Sequence, residues 1–436
     1  MRMCAYVPER HAKENYKVES LEQRMFFGLH IIKDTLERAG FRVDWAGSAT
    51  VHQYDIVLVS ITSDCDWWPF ISERKRWRRG NYKVVVGGAG ILNVRPFLRF
   101  ADYFVLGRGE KSIFGLLGYL RDGAELPNSV VESSTFDVGN IYRIEQADEP
   151  YPHKIAVNGK LSLKEGAIGC NHRCFFCGYT WHRKSNCSVF KWDFGPNNMS
   201  EKECALLDYD SGAFKVDFSK LRTTAIDGFS ESLRFSVNKK ITHDMLCRFL
   251  RDMVTSEAKP HQLKIFNICG LPGETTDDWH EFVEALRTTE NLRSSTGKQW
   301  SIVLHTTPFR PMPATPLACK PMSYRNYRGK IARVLGQGKY KGNIFYQGNS
   351  IWAVESMGTE SLPTVIQSAI VLRGTEDDSE NILRVARSRA FANASTLVKQ
   401  ATLEKYFDVA TLFGAYTEKT LPTRYLRTYA RVEKMW

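Results

Sequence analysis

The sequence has no long apolar run, and nothing in its 436 residues approaches the roughly 18–20 consecutive apolar positions needed to span a bilayer. The amino terminus, MRMCAYVPERHAKENYKVES, also lacks a signal peptide's pattern, since charge stands where the apolar region would be. Neither secretion nor membrane insertion is therefore expected, and a cytoplasmic location is. Cysteine is too sparse, at 10 residues, to make a disulfide scaffold. Three of the cysteines nevertheless cluster, which points to intracellular thiol or metal chemistry. There is no internal repeat and no low-complexity tract. Acidic residues are in deficit, 48 Asp+Glu against 60 Lys+Arg, for a net charge of +12. That surplus favours anionic partners, DNA or RNA first, with a merely basic globular protein as the alternative. Hydrophobic residues at 43% and charged residues at 25% are the balance of a soluble globular chain, long enough to bury a core without disulfides.

Residues 1–125 alternate between strand-like and helix-like patterns. Met3–Val7 is a short apolar start, and Met25, Phe26, Leu29, Ile32 and Leu36 fall at helical spacing within a helix expected over Leu21–Ala39, which Gly40 stops. FRVDW is a strand candidate, and Tyr54–Ile61 is a continuous apolar run suited to a central parallel strand. WWPFISERKRWRRG reads as a helix, Tyr82–Gly88 and Asp102–Gly107 as strands, and Glu110 to about Arg121 as a helix. This alternation predicts an α/β fold with a doubly wound parallel sheet, whose ligands bind beyond the carboxyl ends of the strands. Residues 126–160 read as a connector of mixed polarity with Pro127, Pro150 and Pro152. Strands and amphipathic helices resume over 161–320, up to a proline cluster (Pro308, Pro311, Pro313, Pro316, Pro321). Residues 321–436 form a C-terminal extension expected to be mainly helical, with a clear amphipathic segment at Glu380–Ala392.

The most specific motif is GCNHRCFFCGY, which spaces Cys170-x3-Cys174-x2-Cys177. Three thiolates this close can hold three irons of a cubane [4Fe–4S] cluster and leave the fourth iron open to another ligand. Zinc usually takes a fourth protein ligand, which His172 or His182 could supply in a structural zinc knuckle.

With aromatic Phe176 just before the third cysteine, the motif resembles the signature of the radical S-adenosylmethionine (radical SAM) enzymes. In that family the open iron binds SAM, a reduced cluster donates one electron, and a 5′-deoxyadenosyl radical abstracts a substrate hydrogen in a barrel that excludes water. TTAIDGFSESLRFSVNKKIT (Thr223–Thr242) is similar to a barrel strand and helix of the family, usually Glu-x-Gly-Ser followed by Leu-Arg and Asn-Lys. The match implies that Asp227 faces the SAM ribose and that Ser230 and Arg234 lie near SAM polar groups, against the alternative of a helix-capping Ser and a surface Arg. KIFNICGLPGET (Lys264–Thr275) resembles the Gly-Leu-Pro-Gly-Glu turn that packs near the SAM adenine, where Gly270 and Gly273 would let the backbone approach the ligand. HTTPFRPMPATPL (His305–Leu317) and Val365–Ala386 resemble a barrel-closing segment and part of the family's C-terminal extension. The resemblance implies a partial (β/α) radical SAM barrel over 161–320 and a one-electron reductant of the flavodoxin or ferredoxin type.

Many radical SAM enzymes carry an N-terminal Rossmann-like domain that binds cobalamin, and residues 54–110 are similar to one. By that resemblance Thr62, Ser63, Gly87, Gly88 and Gly107 would surround cobalamin, unless the domain is a scaffold without its ligand. The Asp-x-His-x-x-Gly motif that supplies a lower axial histidine elsewhere is absent. A methylthiotransferase is excluded, since its N-terminal domain needs three cysteines and this one offers Cys4 and Cys65. Only 49 residues lie between Cys177 and Asp227, and the Gly-Gly-Glu motif that binds the SAM amino group is missing. ALLDYD (Ala205–Asp210) is a candidate shortened strand in which Asp208 or Asp210 would substitute. Cys187, Cys204, Cys247, Cys269 and Cys319 lack metal spacing and read as buried small apolar residues.

For the substrate, RKRWRR (Arg74–Arg79) beside Trp67 and Trp68 interleaves cations with aromatics, as does RYLRTYARVEKMW at the C-terminal end. Such a pattern suits phosphate contact and base stacking, or an amphipathic helix with buried tryptophans and solvated arginines. The expected function is radical SAM modification of a nucleobase in DNA or RNA, by methylation or rearrangement. The alternatives are a cobalamin-dependent radical SAM methylase of a small molecule or peptide, and a non-catalytic nucleic-acid-binding protein with a structural metal.

Overall fold

A computed structural model of the chain describes residues 1–8, 26–62, 66–91, 93–137, 144, 145, 147, 149–157, 161–165, 168, 170, 172–178, 192, 193, 203–212, 216–298, 300–312, 315–317, 320, 339–341, 344–346 and 352–356. Ser63, Cys65, His182, Cys187, Cys319 and everything after Ser356, including Val365–Ala386 and Glu380–Ala392, lie outside the described residues.

The first sheet has six strands: β1 (Met3–Tyr6), β2 (Val43–Ala46), β3 (Ile56–Ser60), β4 (Lys83–Gly87), β5 (Tyr103–Val105) and β6 (Val130–Glu132), in the order β2-β1-β3-β4-β5-β6. All pairs are parallel except β5–β6. The connecting helices are α1 (Phe27–Arg38), α2 (Trp67–Arg74) and α3 (Ser112–Asp122). Every residue of β3 is buried, because both faces of the sheet are covered. Val57 and Val59 meet Trp67 and Phe70 of α2, while Ile56 and Leu58 meet Leu29 and Leu36 of α1 and Ile113 and Leu116 of α3. Fully burying each such aliphatic side chain is worth about 1.5–3 kcal/mol. The doubly wound α/β reading therefore holds for this half of the chain.

Past residue 125, β6 adds an antiparallel edge strand to the first sheet. Residues 126–160 are tied to that domain elsewhere too. The Glu145 carboxylate accepts from Lys111 N (3.1 Å) and Ser112 N (2.7 Å) at the start of α3, and Tyr151 Oη donates to Asp34 Oδ2 of α1 (2.6 Å). A three-residue strand is too short to show a period, which is why this stretch reads as a connector.

A small antiparallel sheet follows, built from β7 (Ile155–Val157), β8 (Leu161–Glu165) and β9 (Trp192–Asp193). The second large sheet comprises β10 (Glu203–Ala205), β11 (Thr223–Ala225), β12 (Gln262–Cys269), β13 (Ser301–Pro308), β14 (Lys339–Lys341), β15 (Ile344–Tyr346) and β16 (Trp352–Ser356). Its order is β10-β11-β12-β13-β16-β15-β14, parallel from β10 through β16 and antiparallel beyond. The helices of this half are α4 (Leu206–Asp210), α5 (Glu231–Ser236), α6 (His243–Thr255) and α7 (Thr276–Thr296). Strand β12 alternates: Leu263, Ile265 and Cys269 pack on Phe249 and Met253 of α6 and on Phe282 and Leu286 of α7, while Lys264, Phe266 and Ile268 face the other side.

Past residue 320, β16 pairs in parallel with β13. The described residues of 321–436 are the strands β14, β15 and β16. Most of ALLDYD is helix α4, with the strand just upstream, and Asp210 accepts from Arg248 Nη1 (2.7 Å). Among the described residues β8 belongs to its own antiparallel sheet, and no pairing joins it to β10–β16.

Candidate functional site

The cysteine loop sits at the carboxyl ends of β11, β12 and β13, the end at which parallel α/β folds place their chemistry. Its two phenylalanines anchor it. Phe175 and Phe176 pack with Leu233 and Val237 of the α5 segment, Leu271 after β12, and Phe309 and Leu317 after β13. Phe175 N donates to Val237 O (2.9 Å), and Leu317 N donates to Phe175 O (3.2 Å). Phe176 is thus part of the apolar seat of the loop. None of Cys170, Cys174 and Cys177 is in a disulfide, and Cys174 is buried while the other two are half-buried. Burial pushes the Cys174 thiol up to about 12; the Lys239 charge opposes that, and Asp227, Cys177 and Cys170 add to it. The three sulfurs therefore share one electrostatic neighbourhood with a cation and a carboxylate.

Asp227 follows β11 with a left-handed φ of 52°, and its Oδ2 accepts from Lys239 Nζ at 2.8 Å. The acid expected beside SAM therefore already has a buried cationic partner. Ser230 is the N-cap of α5: its hydroxyl accepts from Leu233 N (3.1 Å) and also donates to Asp278. Arg234 is fully buried rather than on the surface, and it donates to Ile241 O (2.8 Å), Phe229 O (2.8 Å) and Gly228 O (3.2 Å). Burial lowers its pKa to about 10. These bonds engage Ser230 and Arg234 in holding the β11–α6 segment. Gly270 and Gly273 both have positive φ in the turn after β12. Sequence reasoning passed over what holds that turn. Glu274 accepts from Gly270 N (2.8 Å), Leu271 N (3.3 Å) and Trp279 Nε1 (2.7 Å), and burial raises its pKa to about 7. A carboxylate three or four residues after glycine-flanked amides was the available signal.

In the first domain, a cavity of about 340 Å³ opens at the carboxyl ends of β3, β4 and β5, against α1 and α3. Thr62, Gly87, Gly88 and Gly107 all line it; Ser63 lies outside the described residues. Two of these glycines are required by the fold itself. A Cβ at Gly88 (φ 113°) would lie 2.4 Å from Ile61 O, and one at Gly107 (φ 94°) would lie 2.3 Å from Glu145 O. Gly87 differs: its nearest neighbour would be Val105 Cβ at 3.9 Å, so its bareness serves the cavity rather than the backbone.

The cavity wall carries charges that sequence reasoning did not assign. Arg108 donates to both oxygens of Glu165 (2.5 and 2.6 Å) and to Glu110 Oε1 (2.6 Å), and Glu165 also accepts from Tyr151 N (2.8 Å). Burial works against the Arg108 charge, but the two carboxylates keep its pKa above the usual value. Burial raises the Glu110 pKa despite Arg108. Among the described residues, Glu110 Oε2 and Arg108 Nε are buried without a hydrogen-bond partner. Glu165 ends β8, five residues before Cys170, so one ion pair joins this cavity to the approach of the cysteine loop.

Trp67 and Trp77 are core residues, Trp67 stacked on Phe97 at 3.7 Å and Trp77 packed edge-on to Tyr6 at 4.6 Å. The base-stacking expectation fails for both, while Lys75, Arg76, Arg78 and Arg79 remain exposed. These cations follow α2, which runs back against the strands, so they lie at the amino ends of the sheet and away from the cavity. Of the remaining cysteines, Cys269 is buried in the core and Cys247 is half-buried.

Among the described residues, no group of three or more His, Cys, Asp or Glu side chains is drawn into a metal-binding arrangement. The donor chemistry still fits a cluster, being three thiols outside any disulfide on one loop beside the Lys239 cation. The first-domain cavity fits a largely apolar ligand that brings polar groups to Glu110 and Arg108. No helix of the described residues is long and apolar enough to cross a membrane.

No protein-family model and no curated protein matches the chain. Solved structures with similarity include the cobalamin-dependent S-adenosylmethionine radical enzyme OxsB with aqua-cobalamin bound, at 12% identity and a TM-score of 0.31, covering 100% of this chain and 62% of that one. The form with aqua-cobalamin and S-adenosylmethionine bound gives 10% identity and a TM-score of 0.27 over 100% and 62%. The apo form gives 10% and 0.25 over 93% and 58%. The chain thus spans about three-fifths of the solved chains it matches, and at these values the likeness extends to no ligand or reaction.

Proposed function

We propose that this chain is a radical SAM enzyme whose Cys170, Cys174 and Cys177 hold a [4Fe–4S] cluster. One observation carries the reading: the three-thiol loop is seated at the carboxyl ends of β11–β13, beside Asp227 and the Gly270–Gly273 turn. When bound, the cluster would supply the electron that cleaves SAM, received from a reductant of the flavodoxin or ferredoxin type. The chain's own residues would do the rest. Phe175 and Phe176 anchor the loop in its apolar cluster, Asp227 presents a carboxylate beside it, and Glu274 fixes the glycine turn on which an adenine would rest. The test is 5′-deoxyadenosine formation from SAM by anaerobically reconstituted protein, beside Cys174→Ala. Cysteine-dependent product supports the reading; metal binding with neither SAM binding nor cleavage favours a structural metal.

A second cofactor, cobalamin, is favoured by the first-domain cavity with its open Gly87 and buried polar atoms. Corrinoid retention by the purified protein tests that assignment. For the substrate, a nucleobase in DNA or RNA altered by methylation or rearrangement is supported by the net charge of +12 and by the exposed Lys75, Arg76, Arg78 and Arg79. It predicts nucleic-acid affinity that falls steeply with salt. Turnover of a small molecule or peptide without such affinity is the competing outcome.

A further inference from the structure

Two consecutive residues after α5, Val237 and Asn238, bond to the cysteine loop, and Lys239 follows them. Val237 O accepts from Phe175 N (2.9 Å), and Asn238 Nδ2 donates to Arg173 O (2.8 Å) and His172 O (3.2 Å). Asn238 (φ 60°) and Arg173 (φ 51°) both occupy the left-handed region, which an asparagine adopts readily and an arginine keeps only when its surroundings impose it. Lys239 N donates to Arg234 O (2.8 Å), turning its side chain inward, where it is 8% exposed and pairs with Asp227 at 2.8 Å. Besides Asp227, Cys174 and Cys170 act on the Lys239 charge. Burial works against that charge, and Asp227 with the two thiols sustains it.

We infer that Val237–Asn238–Lys239 is the seat of the cysteine loop, and that Lys239 is a positioning residue whose cation, metered by Asp227, sets the reduction potential of a cluster held there. The inference rests on reading the loop as a [4Fe–4S] site. Net charge around a cluster tunes its potential, because reduction adds an electron to an already anionic group. A nearby ammonium favours the reduced state and a nearby carboxylate disfavours it. The two partners therefore act with opposite sign, which a purely structural ion pair does not require.

The experiment is a potentiometric titration of the cluster, followed by electron paramagnetic resonance, on full-length protein reconstituted anaerobically without SAM. K239Q is expected to shift the midpoint to more negative potential, and D227N to more positive. The double variant K239Q/D227N should return close to wild type. A tenfold change in the reduced-to-oxidised ratio at fixed potential corresponds to about 59 mV for a one-electron couple. Should K239Q not fold, K239R keeps the charge and should hold the wild-type midpoint while D227N still rises. Cluster-bearing variants with unchanged midpoints, or single variants shifted in the same direction, overturn the inference and leave the cluster assignment standing. Wild-type protein that assembles no [4Fe–4S] signal overturns both.

Discussion

Replacing Arg108 by Met is the most informative perturbation of the fold, because one buried cation serves two carboxylates. The Arg108 side chain is 7% exposed and Glu165 is 2% exposed, and three hydrogen bonds of 2.5–2.6 Å join Arg108 to Glu165 and Glu110. Removing the cation leaves Glu165 with only the Tyr151 amide among these contacts, and leaves Glu110 with none of them. Breaking a buried pair in this way costs about 3–5 kcal/mol. Glu165→Gln is milder, about 1–3 kcal/mol, since Arg108 keeps Glu110. The pH dependence follows from the sign of the shifts. Burial already raises the Glu110 pKa from 4.5, and loss of Arg108, whose charge opposes that shift, raises it further. An acid raised in the folded state favours folding at low pH, and that contribution is lost as pH rises through the folded pKa. The R108M deficit should therefore be largest near pH 8 and shrink toward pH 5. Denaturant unfolding at both pH values, with hydrogen exchange at the Tyr151 amide, measures it. A deficit below about 1 kcal/mol, or one independent of pH, or an E165Q cost equal to that of R108M, would refute the reasoning.

The remaining predictions concern the two sites. Glu274, raised from 4.5 to about 7 by burial, should make the protein lose about 3 kcal/mol of stability as pH rises from 4.5 through 7, and E274Q should flatten that dependence in unfolding midpoints. Gly87→Ala should change stability by no more than about 0.5 kcal/mol yet weaken corrinoid retention, since its Cβ would enter open cavity space. A stability loss matching that of Gly88→Ala would contradict this reading. Replacing Lys75, Arg76, Arg78 and Arg79 with Gln should lower nucleic-acid affinity and flatten its salt dependence with 5′-deoxyadenosine formation intact, as filter binding across a salt series would show.

The first domain was legible because each strand is a short apolar run stopped by glycine or a polar turn, and β3 is buried on both faces. The cysteine loop was legible through spacing alone. What escaped is instructive for a physical reason. Strand β6 is too short to carry a period, and the segment IAVNGKLSL, with Asn158-Gly159 between β7 and β8, held an unused hairpin signal. Ser230 and Arg234 matched a ligand motif, and the motif did not disclose their bonds within the fold, where one caps a helix and the other bonds to three backbone carbonyls. Trp67 and Trp77 illustrate the same limit, since aromatics beside cations read alike whether they face solvent or the core. The Arg108–Glu165 bond joins residues 57 apart and could only be found in three dimensions.

The central claim is that the Cys170–Cys177 loop carries a cluster with an iron open to SAM. The most direct measurement is the electron paramagnetic resonance spectrum of the reduced, reconstituted protein with and without SAM. The account predicts a [4Fe–4S] signal in the wild type that SAM perturbs, and no such signal in C174A. A [4Fe–4S] signal unchanged by saturating SAM, or one that survives in C174A, would contradict it.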